Sequence, residues 1–406
     1  MIKKKIKIMK MYALLMSLGL TLGLTACSSN NEGNDTAVES SVEEDSIAED
    51  GSNNSEGNNN DDSTDKSSDD SSDENESKHS KKSKKSDDSD TSDDNENEDS
   101  SKSTKSTNSS KGVSKEDITV TDTYSDSSDG GHAIEADGKT ATYSNISITK
   151  TGEADGDEAD FYGENSAIFA TNGATLTLDN IVVETDGTHA NGVFSYGEGT
   201  TVNISNSYIT TSGNCSGGLM TTGGGTMNAT NLTIYTTGNS SAAIRSDRGG
   251  GTVNVTGGSY TTEGTGSPVI YSTADITVSD ATLTSTASQG VVVEGSNSVT
   301  LNNVTLNADN NTKNSDKSDY YQAIMIYQSM SGDASVGTGA LEVKDSILSI
   351  QENSNYYKTA PMFFITNTDA IINIENTKLN FGSDILISAT GTSEWGSDNS
   401  NGGNLE

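Results

Sequence analysis

Between residues 117 and 390 one position recurs that only three residue types fill. Take the first apolar residue of each alternating pair as position zero; inward residues then fall at 0, +2, +5 and +7. Leu176, Leu178, Ile181 and Val183 follow this pattern, as do Ala141, Tyr143, Ile146 and Ile148. Met227, Ala229, Leu232 and Ile234 repeat it, and so do Val299, Leu301, Val304 and Leu306. Weaker copies start at Ile118, Val202, Val253, Ile276, Leu341 and Ile372. Position +4 carries Asp122, Asn145, Asn180, Asn206, Asn231, Gly257, Asp280, Asn303, Asp345 and Asn376. Asn, Asp and Gly enter a left-handed bend at the least cost. Alternation on either side requires extended strands, because successive side chains point to opposite faces. The unit is therefore strand, one-residue corner, strand, and stacked Asn side chains are placed to hydrogen-bond between copies.

A further strand precedes each pair: Ala167-Ile168-Phe169, Gly218-Leu219-Met220, Ala243-Ile244-Arg245, Val269-Ile270-Tyr271 and Val292-Val293-Glu294. Three strands per turn with a sharp corner describe an all-β chain, a right-handed parallel β-helix of about ten coils. An immunoglobulin-like array or a sandwich would show turn signals every 8–12 residues or so and no fixed corner. The domain resembles the pectin-lyase-like family, in which a tight Asn turn separates two of the strands. Insertions at 149–165, 307–322 and 349–361 all follow the second strand of a pair, hence one edge of the rod. The resemblance implies that this edge borders a ligand groove. Residues 111–124 are expected to start the N-terminal cap, and Ile385, Ile387 and the region of Trp395 to finish the C-terminal one.

The rest of the chain is of another kind. Residues 1–26 run from Lys3, Lys4, Lys5, Lys7 and Lys10 into the apolar stretch Met11–Leu24, too short for an ordinary membrane span and suited to a secretory signal. The run ends Leu24-Thr25-Ala26-Cys27, which resembles the lipobox of bacterial lipoproteins; the resemblance implies cleavage before Cys27 and its lipidation, an anchor rather than a span. Residues 27–116 are an acidic Ser/Asp/Asn-rich tether without aromatic residues, 26 acidic against 10 basic from 28 to 116. Such a composition buries too little apolar surface to offset ordering entropy. Residues 391–406 form a C-terminal tail. The formal net charge of −36 excludes nucleic acid as a partner, since phosphate binding requires basic patches. Two cysteines exclude a disulfide scaffold and a Cys-based zinc site.

Chemistry concentrates in few places. The β-helix has two arginines, in the turn Arg245-Ser246-Asp247-Arg248. The repeat register sets Arg245, Tyr271 and Glu294 at the ends of equivalent strands in successive coils, about 5 Å apart. Arg245, Asp247, Arg248, Tyr271 and Glu294 are the candidate ligand face: a guanidinium fork beside Tyr and Glu suits a sugar, a uronate or a peptide acid. The alternative is a salt-bridge cluster of little energetic weight. The insertion holds Asp155, Asp157, Glu158 and Asp160, oxygen ligands of the kind Ca²⁺ takes, although the spacing does not match an EF-hand; a solvated acidic loop is the other reading. Asn367-Thr368-Asp369 matches one hydrolase motif of the fold without its companions. His132 and His189 read as surface histidines, and Cys215 as a small turn residue. Thr residues after the pairs, such as Thr149, Thr185, Thr211, Thr236 and Thr262, resemble the flat ladder of ice-binding rods, and Thr is also simply a good strand former.

These features together predict a lipid-anchored, extracytoplasmic surface protein that uses its β-helix for adhesion or glycan binding, without enzymatic activity or a cofactor. It resembles adhesin-like β-helix lipoproteins. Its partners are then the membrane, through Cys27, and a polysaccharide or other ligand on a host or neighbouring cell. The alternatives are a cell-attached polysaccharide lyase or glycoside hydrolase, which would need carboxylates flanking the scissile bond, and a structural envelope spacer.

Overall fold

The corner residues stack in a column. In the computed structural model, which describes residues 111–309, 322–329, 332–354 and 357–391, nine of the ten expected corners have φ between 47° and 71°. Asp122 is the exception: it lies inside the strand Asp122–Asp126, opposite Ile146. No strand precedes it in that coil, so there is no bend to make. The Asn ladder forms in part. Asn180 Nδ2 donates to Asn145 Oδ1 at 2.5 Å, Asn231 to Asn206 at 3.0 Å, Asn303 to Asp280 at 2.6 Å and Asn376 to Asp345 at 2.5 Å. It breaks at Asn206, which turns to Asp179 at 2.9 Å, and at Gly257, which has no side chain to offer.

The strands form two all-parallel sheets, and the chain is a right-handed parallel β-helix. Among the described residues, a broad sheet of 17 strands holds both members of each pair, and a narrow sheet of 10 holds the preceding strands. The narrow sheet runs Ile134–Asp137, Ile168–Thr171, Val193–Tyr196, Leu219–Thr222, Ile244–Ser246, Ile270–Ser272, Val291–Glu294, Ile324–Tyr327, Phe363–Thr366 and Ile387–Thr390. Inward rows of Leu, Ile and Val fill the space between the sheets; Leu176, Leu178, Ile181 and Val183 are fully buried, as are Leu301, Leu306 and Leu341. Each coil covers the one before, so burial rather than any local propensity selects the register.

Glycines form a second column. Gly152, Gly187, Gly213, Gly238 and Gly264 stack where the broad sheet turns back toward the narrow one. A Cβ on Gly187, Gly213, Gly238 or Gly264 would sit 1.8–2.0 Å from the carbonyl oxygen of the glycine one coil earlier. The requirement is space, not φ. Serines three residues on lock the column: Ser216 Oγ donates to Gly187 O at 2.8 Å, Ser241 to Gly213 O at 3.1 Å and Ser267 to Gly238 O at 2.8 Å. The inward hydroxyls of Thr185, Thr211 and Thr236 close the same turn on the carbonyls of Ala190, Ser216 and Ser241. These threonines are buried, and the outward row beside them is interrupted by Glu184 and Tyr235, so no flat exposed Thr ladder exists there.

The ends differ from expectation. Residues 111–121 do not cap the rod but run along the outer face of the broad sheet. Thr233 Oγ1 donates to Val113 O at 2.7 Å, Lys115 pairs with Glu184 at 2.6 Å, and Thr121 N donates to Asn145 O at 2.7 Å. Tyr124 and Tyr143 meet edge to face, 5.7 Å apart, within the first coils. In the last coil Ile371, Ile374, Ile385, Leu386 and Ile387 are 37–49% exposed. Trp395, the leader 1–26 with Cys27, and the tether up to residue 110 lie outside the described residues. Among the described residues no helix is long and apolar enough to cross a membrane.

Candidate functional site

Outward side chains of the narrow sheet define the site. Register places Arg245 opposite Tyr271 as expected, but Tyr271 faces Val292, and Glu294 lies two residues further along, opposite Tyr327. The expected row is thus two rows. Arg245, Tyr271, Val292 and Met325 form one; Glu294 and Tyr327 belong to the other. Contact is restored by side-chain length. The Tyr271 hydroxyl donates to Glu294 Oε2, Tyr327 Oη donates to the same oxygen at 3.0 Å, and Ser329 Oγ donates to Oε1. The two tyrosine hydroxyls are 3.1 Å apart.

Arg245 and Asp247 pair beside this nest. Arg245 Nη2 and Nε donate to Asp247 Oδ2 at 2.6 and 3.1 Å, and the guanidinium lies 5.9 Å from the Tyr271 ring centroid. Burial works against the Arg245 charge, and the carboxylates of Asp247 and Asp160 outweigh it, so its pKa is raised. Burial lifts the Asp247 carboxyl above its usual range against the pull of Arg245, with Asp333 adding to the lift. Glu294 is raised for the same first reason, burial, while the donated hydroxyls oppose it. Tyr271 and Tyr327 are pushed well above the ordinary phenol value by burial and then by the Glu294 charge.

The acidic insertion folds onto the arginine turn. Its one-turn helix Asp157–Phe161 sets Asp157 Oδ2 3.2 Å from Arg248 Nη1 and lays the Phe161 ring under that guanidinium at 3.7 Å. Asp333 Oδ1 takes Arg248 Nε at 2.5 Å. Thr222 Oγ1 donates to Phe161 O at 2.6 Å and pins the helix to the sheet. His189, read as a surface histidine, is 1% exposed: Nε2 sits 2.7 Å from Asp160 Oδ1 and Nδ1 2.9 Å from Ala154 O. It occupies a corner with φ 57°, so its ring turns inward under the insertion. His132 is half-buried with Nδ1 2.8 Å from Ser166 O, its ring stacked on Phe169 at 4.7 Å.

This engagement bears on calcium. Asp155 accepts from the Gly156 N–H at 2.9 Å, Asp157 faces Arg248, and Asp160 faces His189. Among the described residues no three His, Cys, Asp or Glu side chains converge as a metal would require. Asp157 and Asp160 are thus engaged by Arg248 and His189. Asn367 has φ 59° and makes the corner after Phe363–Thr366, with Thr368 Oγ1 donating to Gly337 O at 2.8 Å, a structural use of that tripeptide. Cys215 also occupies a corner, φ 59°, and is buried there.

Aromatic rings continue the site away from Arg248. Phe161 meets Tyr162 at 6.4 Å, Tyr162 meets Tyr196 at 5.7 Å, and Tyr196 stacks on Phe169 at 6.5 Å. The outer face of the narrow sheet thus carries a polar nest and an aromatic track joined at Arg248. Sequence periodicity could not reveal Asp157, Phe161, Ser329 or Asp333 as partners, because irregular insertions deliver them.

No protein-family model matches the chain, and no curated protein matches it. Among solved structures, it is similar to the catalytic domain of a GH87 alpha-1,3-glucanase in complex with tetrasaccharides, at 15% identity and a TM-score of 0.27, over 70% of this chain and 62% of that one. The chain therefore spans less than two thirds of that domain's length.

Proposed function

We propose that this chain is a surface-displayed, carbohydrate-binding β-helix, adhesive rather than enzymatic, anchored by lipidation of Cys27 and held off the membrane by the acidic tether 27–116. The observation that carries the binding reading is the junction at Arg248: a guanidinium fork, exposed Asp157 and a run of tyrosine and phenylalanine rings on one face. Sugars are held by that combination of planar hydrogen-bonding groups and apolar ring faces. The adhesive reading draws on the state of the carboxylates. Asp247 and Asp333 are matched by arginine, Asp160 by histidine, and Glu294 by three hydroxyls, which leaves none of them poised at a solvent-filled cleft.

Glycoside hydrolysis on the same face is the second reading. It is favoured by Asp247 and Glu294, two buried carboxyl groups on this face whose pKa values burial raises, as a general acid requires. A glycan array probed with the full chain tests both. The expected result is a discrete set of bound glycans, reduced about tenfold or more by Arg248→Ala, with no new reducing ends released from them. Release of reducing ends that Glu294→Gln abolishes would favour the hydrolase, and an empty array would contradict both. The anchor has its own test. One sulfur cannot carry both a lipid thioether and a disulfide, and Cys27 is the only other cysteine beside Cys215. Mass spectrometry of the mature chain is expected to find the lipid adduct on an N-terminal Cys27; a disulfide-linked Cys27 peptide would contradict the anchor.

A further inference from the structure

The arginine turn leaves a neutral sugar, a uronate and a peptide acid open as ligands until its own ion pairs are taken into account. A bare guanidinium fork only donates hydrogen bonds and so matches a carboxylate. Neither arginine here is bare. Arg245 commits Nη2 and Nε to Asp247 Oδ2, and its side chain is only 11% exposed. Arg248 is more open, at 33%, but it gives Nε to Asp333 Oδ1 and Nη1 to Asp157 Oδ2. Burial works against the Arg248 charge, and Asp333 and then Asp157 outweigh it, so its pKa is raised.

What stays open is a donor beside an acceptor. Among the described residues, Arg248 Nη2 carries no hydrogen bond, and Asp157 engages Arg248 through Oδ2 alone while its side chain is 70% exposed. A sugar hydroxyl both donates and accepts, so neighbouring hydroxyls suit this pair: one accepts from Nη2 and the next donates to Asp157. Tyr162, directly after the helix Asp157–Phe161, is partly exposed and offers its ring to the apolar face of the same sugar. A ligand carboxylate meets the opposite situation. It would share the Arg248 guanidinium with Asp157 and Asp333, and like charges at that range repel.

We propose that this face selects uncharged glycans and turns away those bearing uronates or other acidic sugars, with Asp157 as the discriminating residue. The proposal rests on the reading of the face as carbohydrate-binding and names the class of sugar it takes.

The test is a glycan array that pairs uncharged glycans with acidic counterparts of the same backbone, probed with the full chain. Wild type is expected to bind the uncharged member about tenfold better or more. Asp157→Asn keeps the size and an acceptor but removes the charge. It should hold uncharged glycans within about threefold and bind uronate-bearing ones about fivefold better, a gain that added salt reverses. Asp157→Ala, which removes the acceptor, should weaken uncharged glycans about fivefold. Equal binding of both classes by wild type would overturn the proposal, as would an Asp157→Asn variant with an unaltered melting curve and no gain for uronates. The wild-type comparison needs no variant, so a misfolded substitution leaves the proposal exposed to refutation. The two readings fail differently: an empty array removes carbohydrate binding and this proposal together, whereas an array led by uronate-bearing glycans removes this proposal and leaves carbohydrate binding standing.

Discussion

Gly213→Ala is expected to destabilise the rod by about 4 kcal/mol or more, a loss reserved for changes that force backbone apart, and to lower its melting midpoint by about 10 °C. The added Cβ would lie 1.9 Å from Gly187 O and 2.5 Å from its carbon, and neither can retreat without breaking the hydrogen bond from Ser216 Oγ to that same carbonyl. Both contacts are backbone, so no side chain can rotate away. Gly173→Ala is the control. Gly173 has φ 77° and nothing within 4 Å of its Cβ position, so its substitution costs only the left-handed penalty, about 1 kcal/mol. Thermal unfolding followed by circular dichroism checks both; similar midpoints for the two variants would show that the glycine column is not packed as described.

Glu294→Ala has the second largest expected effect, about 3 kcal/mol or more, because it strands the hydroxyls of Tyr271, Tyr327 and Ser329 in a buried place. Glu294→Gln keeps an acceptor and should cost about 1 kcal/mol. The pH dependence follows from the raised carboxyl. The folded state holds the Glu294 proton to higher pH than the unfolded chain, whose glutamate titrates near 4.5. The contribution to stability is therefore complete below that value and declines as pH rises toward the folded pKa. Wild type should lose its advantage over Glu294→Gln across that window. A gap between their midpoints that widens with rising pH would contradict the assignment.

What was legible beforehand depended on period. Corners at 145, 180, 206 and 231 could be read because a left-handed residue must be Asn, Asp or Gly and because burial repeats with each coil. Asp122 misled because composition cannot show that the chain enters sideways, along the broad sheet through Lys115 and Glu184. The glycine column had a signal, Gly three residues ahead of Ser at 213, 238 and 264, but glycines in loops invite a conformational explanation when the reason here is contact. Arg245, Tyr271 and Glu294 were recognisable from the repeat, with an error of two residues at Glu294. Their partners were not, since Asp157, Ser329 and Asp333 sit on insertions that obey no period. His189 was misjudged for a related reason: its exposure was decided by the helix Asp157–Phe161 folding over it.

The convergence of insertion and arginine turn underlies the proposed ligand face. Its most direct test is a zero-length carbodiimide crosslink in an Arg248→Lys variant, mapped by mass spectrometry. Asp157, 91 residues away in sequence, and Asp333, 85 residues away, approach the side chain at 248 in this structure. The account predicts crosslinked peptides joining position 248 to Asp157 and Asp333. Crosslinks from 248 confined to its sequence neighbours, Asp247 above all, would mean that the insertion does not rest on this face.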